Sequence, residues 1–130
     1  MSIVEHEGQP WRENRPGSRL RVIADSGPTA LGLALVHQIC EPGVGAPSHT
    51  HDFDEIVTIV SGTAEVWIGS ERQTVGGETS IFVPAGTVHG FRNNGNDPLQ
   101  LLGVIAAREL YGQYEDGSQP AQGSATSTGK

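Results

Sequence analysis

Residues 43–62, GVGAPSHTHDFDEIVTIVSG, carry two histidines one residue apart and a glutamate four residues after the second. In an extended strand, His49 and His51 project from the same face about 6–7 Å apart. Both imidazoles can then bring a ring nitrogen to about 2.0–2.1 Å from one shared metal ion. Glu55 has the same parity, but on a straight strand it lies about 13 Å beyond His51. The chain must therefore bend or bulge at residues 52–54 if Glu55 is to reach the same ion.

A third imidazole is carried by residues 84–93, PAGTVHGFRN, in which His89 follows a Pro-Ala-Gly turn. Three imidazoles and one carboxylate leave one or two positions open on a five- or six-coordinate ion. An open position separates a catalytic metal site from a closed structural one. A bare His-x-His pair is also compatible with a surface strand that binds nothing, so the spacing alone leaves both interpretations open.

The residues around these histidines resemble the two sequence motifs of the cupin superfamily. The first motif, G-x5-H-x-H-x3-E-x6-G, is met in full by Gly43, His49, His51, Glu55 and Gly62. The second motif, G-x5-P-x-G-x2-H-x3-N, is met by Pro84, Gly86, His89 and Asn93. Only its leading glycine departs, because Gly77 stands one residue too early and Glu78 occupies the glycine position. This departure predicts an irregular turn, such as a bulge, before the next strand.

The resemblance implies an all-β fold, a double-stranded β-helix (jelly-roll) barrel of the cupin type. It also implies one divalent transition metal bound by four side chains: His49, His51, Glu55 and His89. Iron is the favoured metal, while manganese, nickel, zinc, cobalt and copper suit the same ligands.

Composition favours the same fold class. The chain has 130 residues with 18 glycines and 8 prolines, which suits short strands joined by turns better than a helical bundle. Short runs rich in Val, Ile and Thr predict strands over residues 19–24, 30–40, 55–60, 63–68, 72–75, 80–83, 88–92 and 99–106. We expect residues 1–17 to form an N-terminal arm, residues 18–111 a single domain and residues 112–130 a flexible polar tail. Only residues 106–114 are suited to a helical turn or two.

Charge, hydropathy and cysteine content indicate which partners and which cellular compartment to expect. The net charge of −7 repels phosphate backbones, so we expect no nucleic acid partner. No apolar run is long enough to span a membrane, and the N-terminus lacks the basic and apolar regions of a secretory signal. The single cysteine, Cys40, suits a reducing cytoplasm. A leucine-rich face at residues 31–35, together with Trp11, is suited to pairing two chains, and we expect a homodimer.

Two further side chains are candidates for substrate binding. Phe91 lies two residues after His89 and shares its parity, and Gln38 lies on the smaller face of its strand with Ala34 and Val36. Packing inside the barrel for Phe91, and a solvated outer face for Gln38, are the alternative interpretations.

Three classes of function remain open. The first is a metal-dependent enzyme acting on a small organic substrate, with iron-dependent dioxygenation slightly preferred. The second is a redox-neutral isomerase, cyclase or lyase, in which Glu55 leaves the metal and acts as a general base. An apolar pocket would raise the pKa of Glu55 toward neutral and suit that role. The third is a non-catalytic module that binds a metal or a small molecule.

Overall fold

The computed structural model describes residues 3–29 and 31–108. Within these residues the chain forms ten strands: β1 (Arg12–Arg15), β2 (Ser18–Ala24), β3 (Ala34–Cys40), β4 (Gly45–His49), β5 (Glu55–Ser61), β6 (Ala64–Ile68), β7 (Glu71–Val75), β8 (Thr79–Val83), β9 (His89–Asn93) and β10 (Leu99–Ile105). The helical elements of the described part are a 3₁₀ turn at His6–Gly8 and a single α-helical turn, α1, at Ser26–Thr29.

The strands form two antiparallel sheets. The larger sheet has the order β1-β2-β3-β10-β5-β8, and the smaller sheet has the order β4-β9-β6-β7. From β3 to β10 the chain passes back and forth between the sheets, so most consecutive strands lie in different sheets. Two apolar inner faces enclose the core. This architecture confirms the predicted all-β jelly-roll barrel.

Each of the eight predicted strand regions contains a strand, but the sequence does not predict β1 or β4. The residues of β1 are RENR, with no apolar side chain to signal a strand. Strand β4 contains Gly45 and Pro47, which ordinarily mark turns. Pro47 is tolerated because β4 lies at the edge of the smaller sheet. Part of the predicted arm therefore extends the larger sheet, since β1 pairs with β2.

Two apolar clusters fill the space between the sheets. The large cluster consists of Cys40, Ala46, Val57, Ile59, Ala64, Val66, Phe91, Leu99 and Leu101. The small cluster consists of Leu20, Ala34, Val36, Phe53 and Ile105. Ile105 is the register partner of both Ala34 and Glu55, so the small cluster adjoins the predicted metal ligands.

The turn before β8 is irregular, as predicted. Glu78 has a φ of 59°, a left-handed conformation that glycine adopts without strain and other residues rarely do. Its backbone N–H donates a 2.7 Å hydrogen bond to the carbonyl of Ile59. Glu78 thus occupies the motif's glycine position with a backbone conformation suited to glycine.

The outer face of the larger sheet holds the N-terminal tryptophan. Trp11 lies 5.0 Å from the ring of His37 in β3. The guanidinium groups of Arg19 and Arg21 lie 4.6 and 4.4 Å from the centre of the indole, at cation–π distance. In this structure Trp11 therefore packs against its own domain.

Some predictions lie outside the described residues. The tail at residues 112–130 does so entirely, and the predicted helical turn over residues 106–114 does so beyond residue 108. In the described part of the chain, no helix has the length and apolar character needed to cross a membrane.

Candidate metal centre

The predicted metal ligands come together from both sheets. His49 ends β4 and His89 begins β9, and the two are register partners in the smaller sheet. His51 lies in the connection to β5, and Glu55 is the first residue of β5 in the larger sheet. A bend at residues 52–53 turns the chain between them, as the spacing requires. The site therefore lies where the two sheets meet.

The three imidazoles form a compact buried group. The ring centroids of His49 and His89 are 4.2 Å apart, and His51 lies 4.8 Å from each. Each histidine offers a ring nitrogen, and these nitrogens lie within 4.8 Å of one another. All three side chains are buried, so the group is shielded from solvent. Their arrangement can hold one metal ion.

Backbone carbonyls fix two of the ring tautomers. His49 donates from Nδ1 to the carbonyl of Pro47 at 2.6 Å, and His89 donates from Nδ1 to the carbonyl of Thr87 at 2.9 Å. The proton on Nδ1 leaves a lone pair on Nε2 of each ring. Such bonds to the non-ligating nitrogen commonly orient histidines that bind metals.

Unpartnered nitrogens show that the donor set fits a metal. Nε2 of His49, Nε2 of His89 and Nδ1 of His51 are buried without a hydrogen-bond partner. A buried polar atom left unpaired costs stability. A divalent transition metal prefers imidazole nitrogens and carboxylate oxygens as donors, so an ion bound beside Glu55 would satisfy the Nε2 lone pairs of His49 and His89.

Glu55 completes the cluster. Its Oε1 lies 3.0 Å from Nε2 of His51 and accepts a hydrogen bond from it. The same oxygen lies 3.4 Å from Nε2 of His89, where it contacts that ring without forming a well-aligned hydrogen bond. Gly103 of β10 lies beside the carboxylate, because a Cβ atom there would be in ordinary van der Waals contact with Glu55 Oε2 at 3.4 Å.

The pKa of Glu55 is lowered in the structure, whereas an apolar pocket was expected to raise it. Burial raises this pKa, but the hydrogen bond from His51 and the nearby His89 outweigh burial and lower it to about 2. The expectation was wrong because it considered burial alone and not the two imidazoles in contact with the carboxylate. A carboxylate of such low pKa is a weak base, and its charge suits a metal ligand.

His49 is held neutral. Burial and the neighbouring His89 lower its pKa from 6.5 to about 3. A neutral imidazole is the form that binds a metal, so the site needs no deprotonation of His49 near pH 7.

An aromatic side chain supports His51. Phe53 lies parallel to the His51 ring, with centroids 4.5 Å apart and an angle of 11°. Phe53 belongs to the small cluster and is itself buried. The sequence gives no signal for this contact, because the two residues stack only after the chain bends between them.

The two predicted substrate-binding residues, Phe91 and Gln38, lie at different distances from the metal ligands. Phe91 is buried in the large cluster, two residues along β9 from His89. Gln38 is also buried, but it is in register with Leu101, four residues along β10 from the partner of Glu55. That spacing corresponds to about 13 Å along the sheet. The structure therefore brings Phe91 close to the histidines along its strand and leaves Gln38 away from Glu55.

The contacts of Gln38 are structural. Its Nε2 donates a 2.8 Å hydrogen bond to Oγ of Ser18, which also accepts a 3.5 Å bond from the Cys40 thiol. All three side chains are buried. Gln38 therefore lies inside the barrel and not on a solvated outer face, and parity alone indicates neither this direction nor the end of the barrel that it occupies.

Comparison with known families identifies the fold family. A family profile described as Cupin domain matches residues 36–105, which include His49, His51, Glu55 and His89. The chain belongs to the cupin domain family.

Relatives of this cupin include a much longer protein. Mannose-1-phosphate guanylyltransferase RfbM of Salmonella typhimurium is 33% identical over 96 residues, which are 74% of this chain and 19% of that protein. The chain thus spans less than a fifth of the length of the curated relatives it matches.

Solved structures share the fold of this cupin. The polyketide cyclase RemF from Streptomyces resistomycificus has a TM-score of 0.69 and 20% identity, over 81% of this chain and 78% of that chain. A predicted oxalate decarboxylase from Thermotoga maritima has a TM-score of 0.68 and 18% identity, over 81% of this chain and 98% of that chain.

Proposed function

We propose that this cupin is a metal-dependent enzyme that acts on a small organic substrate. One divalent transition metal would be held by four side chains: His49, His51, Glu55 and His89. The observation that carries the proposal is the convergence of three buried imidazoles, two of them with an unpartnered Nε2, beside one carboxylate. A structural role alone would leave these nitrogens buried at a cost with nothing to offset it.

Residues of this chain give the site its chemical character. When bound, the metal would supply a Lewis acid with open positions for a substrate oxygen or for dioxygen. Pro47 and Thr87 orient two of the rings through their carbonyls, and Phe53 packs against the third. The small cluster adjoins the site through Phe53 and Ile105, and these apolar side chains would help to keep water from the reacting groups.

Two reaction types are compatible with this centre. Dioxygenation with iron is the reaction favoured by the sequence, because three imidazoles and a carboxylate leave room for both substrate and dioxygen. Redox-neutral chemistry is the second candidate, and it is favoured by the names of the structural neighbours, a cyclase and a predicted decarboxylase. The low pKa of Glu55 supports a ligand role over a base role in either reaction.

Substitution of Glu55 tests the proposed role directly. We expect Glu55→Gln to weaken metal binding at least about tenfold, because the amide removes the negative charge from the donor set. The matched control is Glu71→Gln, an exposed position in β7, which should bind metal as the wild type does.

Unchanged metal affinity in Glu55→Gln would contradict the ligand role. Unchanged affinity with complete loss of turnover would indicate a base instead. Metal binding without turnover of any screened substrate would favour a non-catalytic binding module.

We also propose that the protein is a cytoplasmic homodimer. Four apolar side chains form a continuous row across the outer face of the larger sheet: Phe82, Ile56, Val104 and Leu35. Phe82 is 68% exposed and Ile56 is 42% exposed, and such a row is suited to burial against a second copy. The buried free thiol of Cys40 supports a reducing compartment.

A further inference from the structure

We propose that the substrate of this site has an uncharged, largely apolar body and carries no anionic group away from the oxygen atoms that meet the metal. This inference rests on the proposed function and specifies its substrate class. It disfavours sugar phosphates and dicarboxylates, and it favours neutral molecules with a chelating pair of oxygens, such as aromatic diols or enols.

The first observation is the set of buried polar side chains. Among residues 3–29 and 31–108, the buried polar or charged residues are Ser18, Gln38, His49, His51, Glu55, His89 and Asn93. No arginine or lysine is among them. The barrel interior, as far as it is described, therefore holds a carboxylate and no permanent cation.

Buried side chains outside the metal centre are already engaged in the fold. Gln38 donates to Ser18. Asn93 donates to the carbonyls of Cys40 and Asp97, at 3.0 and 2.8 Å. These amide groups hold strands and a turn together, so their N–H groups are not free to bind an anionic group of a ligand.

No arginine or lysine side chain of the described residues is fully buried. All seven arginines of the chain are exposed or half-buried: Arg12, Arg15, Arg19, Arg21, Arg72, Arg92 and Arg108. Arg72 and Arg92 both contact the carboxylate of Glu65. Outside the described residues the sequence contains one more basic residue, Lys130. An anion bound among the histidines would thus have no arginine or lysine of the described interior beside it.

Apolar side chains lie next to the predicted metal ligands. Phe53 stacks on His51, Ile105 is the register partner of Glu55, and Phe91 follows His89 by two residues. An anionic group placed against these side chains would lose its hydration without gaining a hydrogen bond or a cation. An apolar or aromatic group would lose nothing there.

Charge balance at the metal leads to the same conclusion. The carboxylate of Glu55 offsets half the charge of a divalent ion, and the three imidazoles are neutral ligands. One negative oxygen from the substrate would complete the balance. A second anionic group in the same low-dielectric space would be uncompensated.

Two isosteric probes separate these possibilities. Full-length protein loaded with cobalt(II) is titrated under nitrogen with 3,4-dihydroxybenzamide and with 3,4-dihydroxybenzoate, and binding is followed by calorimetry and by the visible spectrum of the cobalt. The probes share the metal-binding diol and have nearly the same shape, and the distant group is a neutral amide in one and an anionic carboxylate in the other. We expect the amide to bind at least about tenfold more tightly than the benzoate.

Arg108 provides the control for a cation at the rim. It lies three residues after Ile105 and its side chain is exposed, so it is the described arginine closest along the chain to the Glu55 end of β10. We expect Arg108→Gln to leave the ratio of the two affinities unchanged. A selective loss of benzoate binding in this variant would overturn the inference.

The remaining outcomes distinguish a wrong substrate class from a wrong proposed function. Cobalt-loaded protein that binds the benzoate as tightly as the amide, or fails to bind the amide, contradicts the substrate class alone. Protein that takes up no cobalt contradicts the proposed function and, with it, the substrate class.

Discussion

His49 and His89 are register partners in adjacent strands, and each donates its Nδ1 proton to the carbonyl two residues before it. The repeated bond gives both rings the same tautomer and directs both Nε2 lone pairs away from those carbonyls. Two strands of one sheet therefore supply a matched pair of nitrogen donors. His51 and Glu55 join this pair only because the chain bends between β4 and β5.

Acid should destabilise the metal-free protein. Burial and His89 lower the pKa of His49 to about 3, whereas the unfolded chain takes up a proton near pH 6.5. The unfolded state therefore binds more protons between these values, so stability is full above pH 6.5 and falls as the pH drops toward 3. We expect a loss of about 2 kcal/mol between pH 7 and pH 5, measured by urea unfolding with a chelator present.

The control for this pH dependence is His49→Asn, which has no imidazole to titrate. Its stability should fall less steeply over the same range. Glu55 does not interfere, because its lowered pKa affects stability only between pH 4.5 and about 2. An identical pH slope in His49→Asn and wild type would refute the assignment to His49.

Glycine at position 78 should stabilise the protein. Glu78 has a φ of 59°, which costs a non-glycine residue about 1–2 kcal/mol. We expect Glu78→Gly to raise the free energy of unfolding by about 1 kcal/mol, since part of the gain is lost to the entropy of glycine in the unfolded chain. Glu71→Gly, in the exposed strand β7, should instead lower it by about 0.5–1 kcal/mol. The idea fails if both variants are destabilised equally.

Motif spacing correctly predicts which four side chains come together, because it fixes which residues can converge. The interval of four residues between His51 and Glu55 requires a bend, and the bend is present at residues 52–53. The pKa of Glu55 could not be predicted in the same way, because it depends on distances to imidazoles that only the folded chain sets.

Local composition does not predict every strand. Strand β4 is missed because Gly45 and Pro47 resemble a turn, although the close approach of β9 requires the glycine. A Cβ atom at Gly45 would lie 2.0 Å from the carbonyl oxygen of Phe91. For Gln38, strand parity leaves an inward and an outward direction open, and its distance from the metal centre depends on register between strands that are distant in sequence.

Asn93 should be essential to the fold. Its side chain donates to the carbonyls of Cys40 and Asp97 and accepts a bond from the N–H of Gly95 at 2.9 Å. Asn93→Ala leaves these buried or half-buried groups without partners, and we expect a loss of about 3 kcal/mol in urea unfolding. The neighbouring Asn94→Ala is the control, because Asn94 is exposed and its loss should cost less than about 0.5 kcal/mol. Equal effects of the two substitutions would be inconsistent with this role.

A charge on the outer face of the larger sheet should prevent dimer formation. Ile56 lies between Phe82 and Val104 in the exposed apolar row. We expect Ile56→Lys to give a monomer by light scattering at micromolar concentration, because a lysine cannot be buried unpaired in an interface. Ser70→Lys, in an exposed turn of the smaller sheet, should remain dimeric. A monomeric wild type would contradict the proposed homodimer.

The most direct test of the metal centre is the metal content of untagged protein, purified without chelators, for three forms of the chain. We predict about one equivalent of a divalent transition metal in the wild type. We predict the same content in His37→Ala, whose imidazole lies outside the cluster beside Trp11 and Gln100. His49→Ala should lose the metal. Absence of metal from the wild type, or its retention in His49→Ala, would contradict the account.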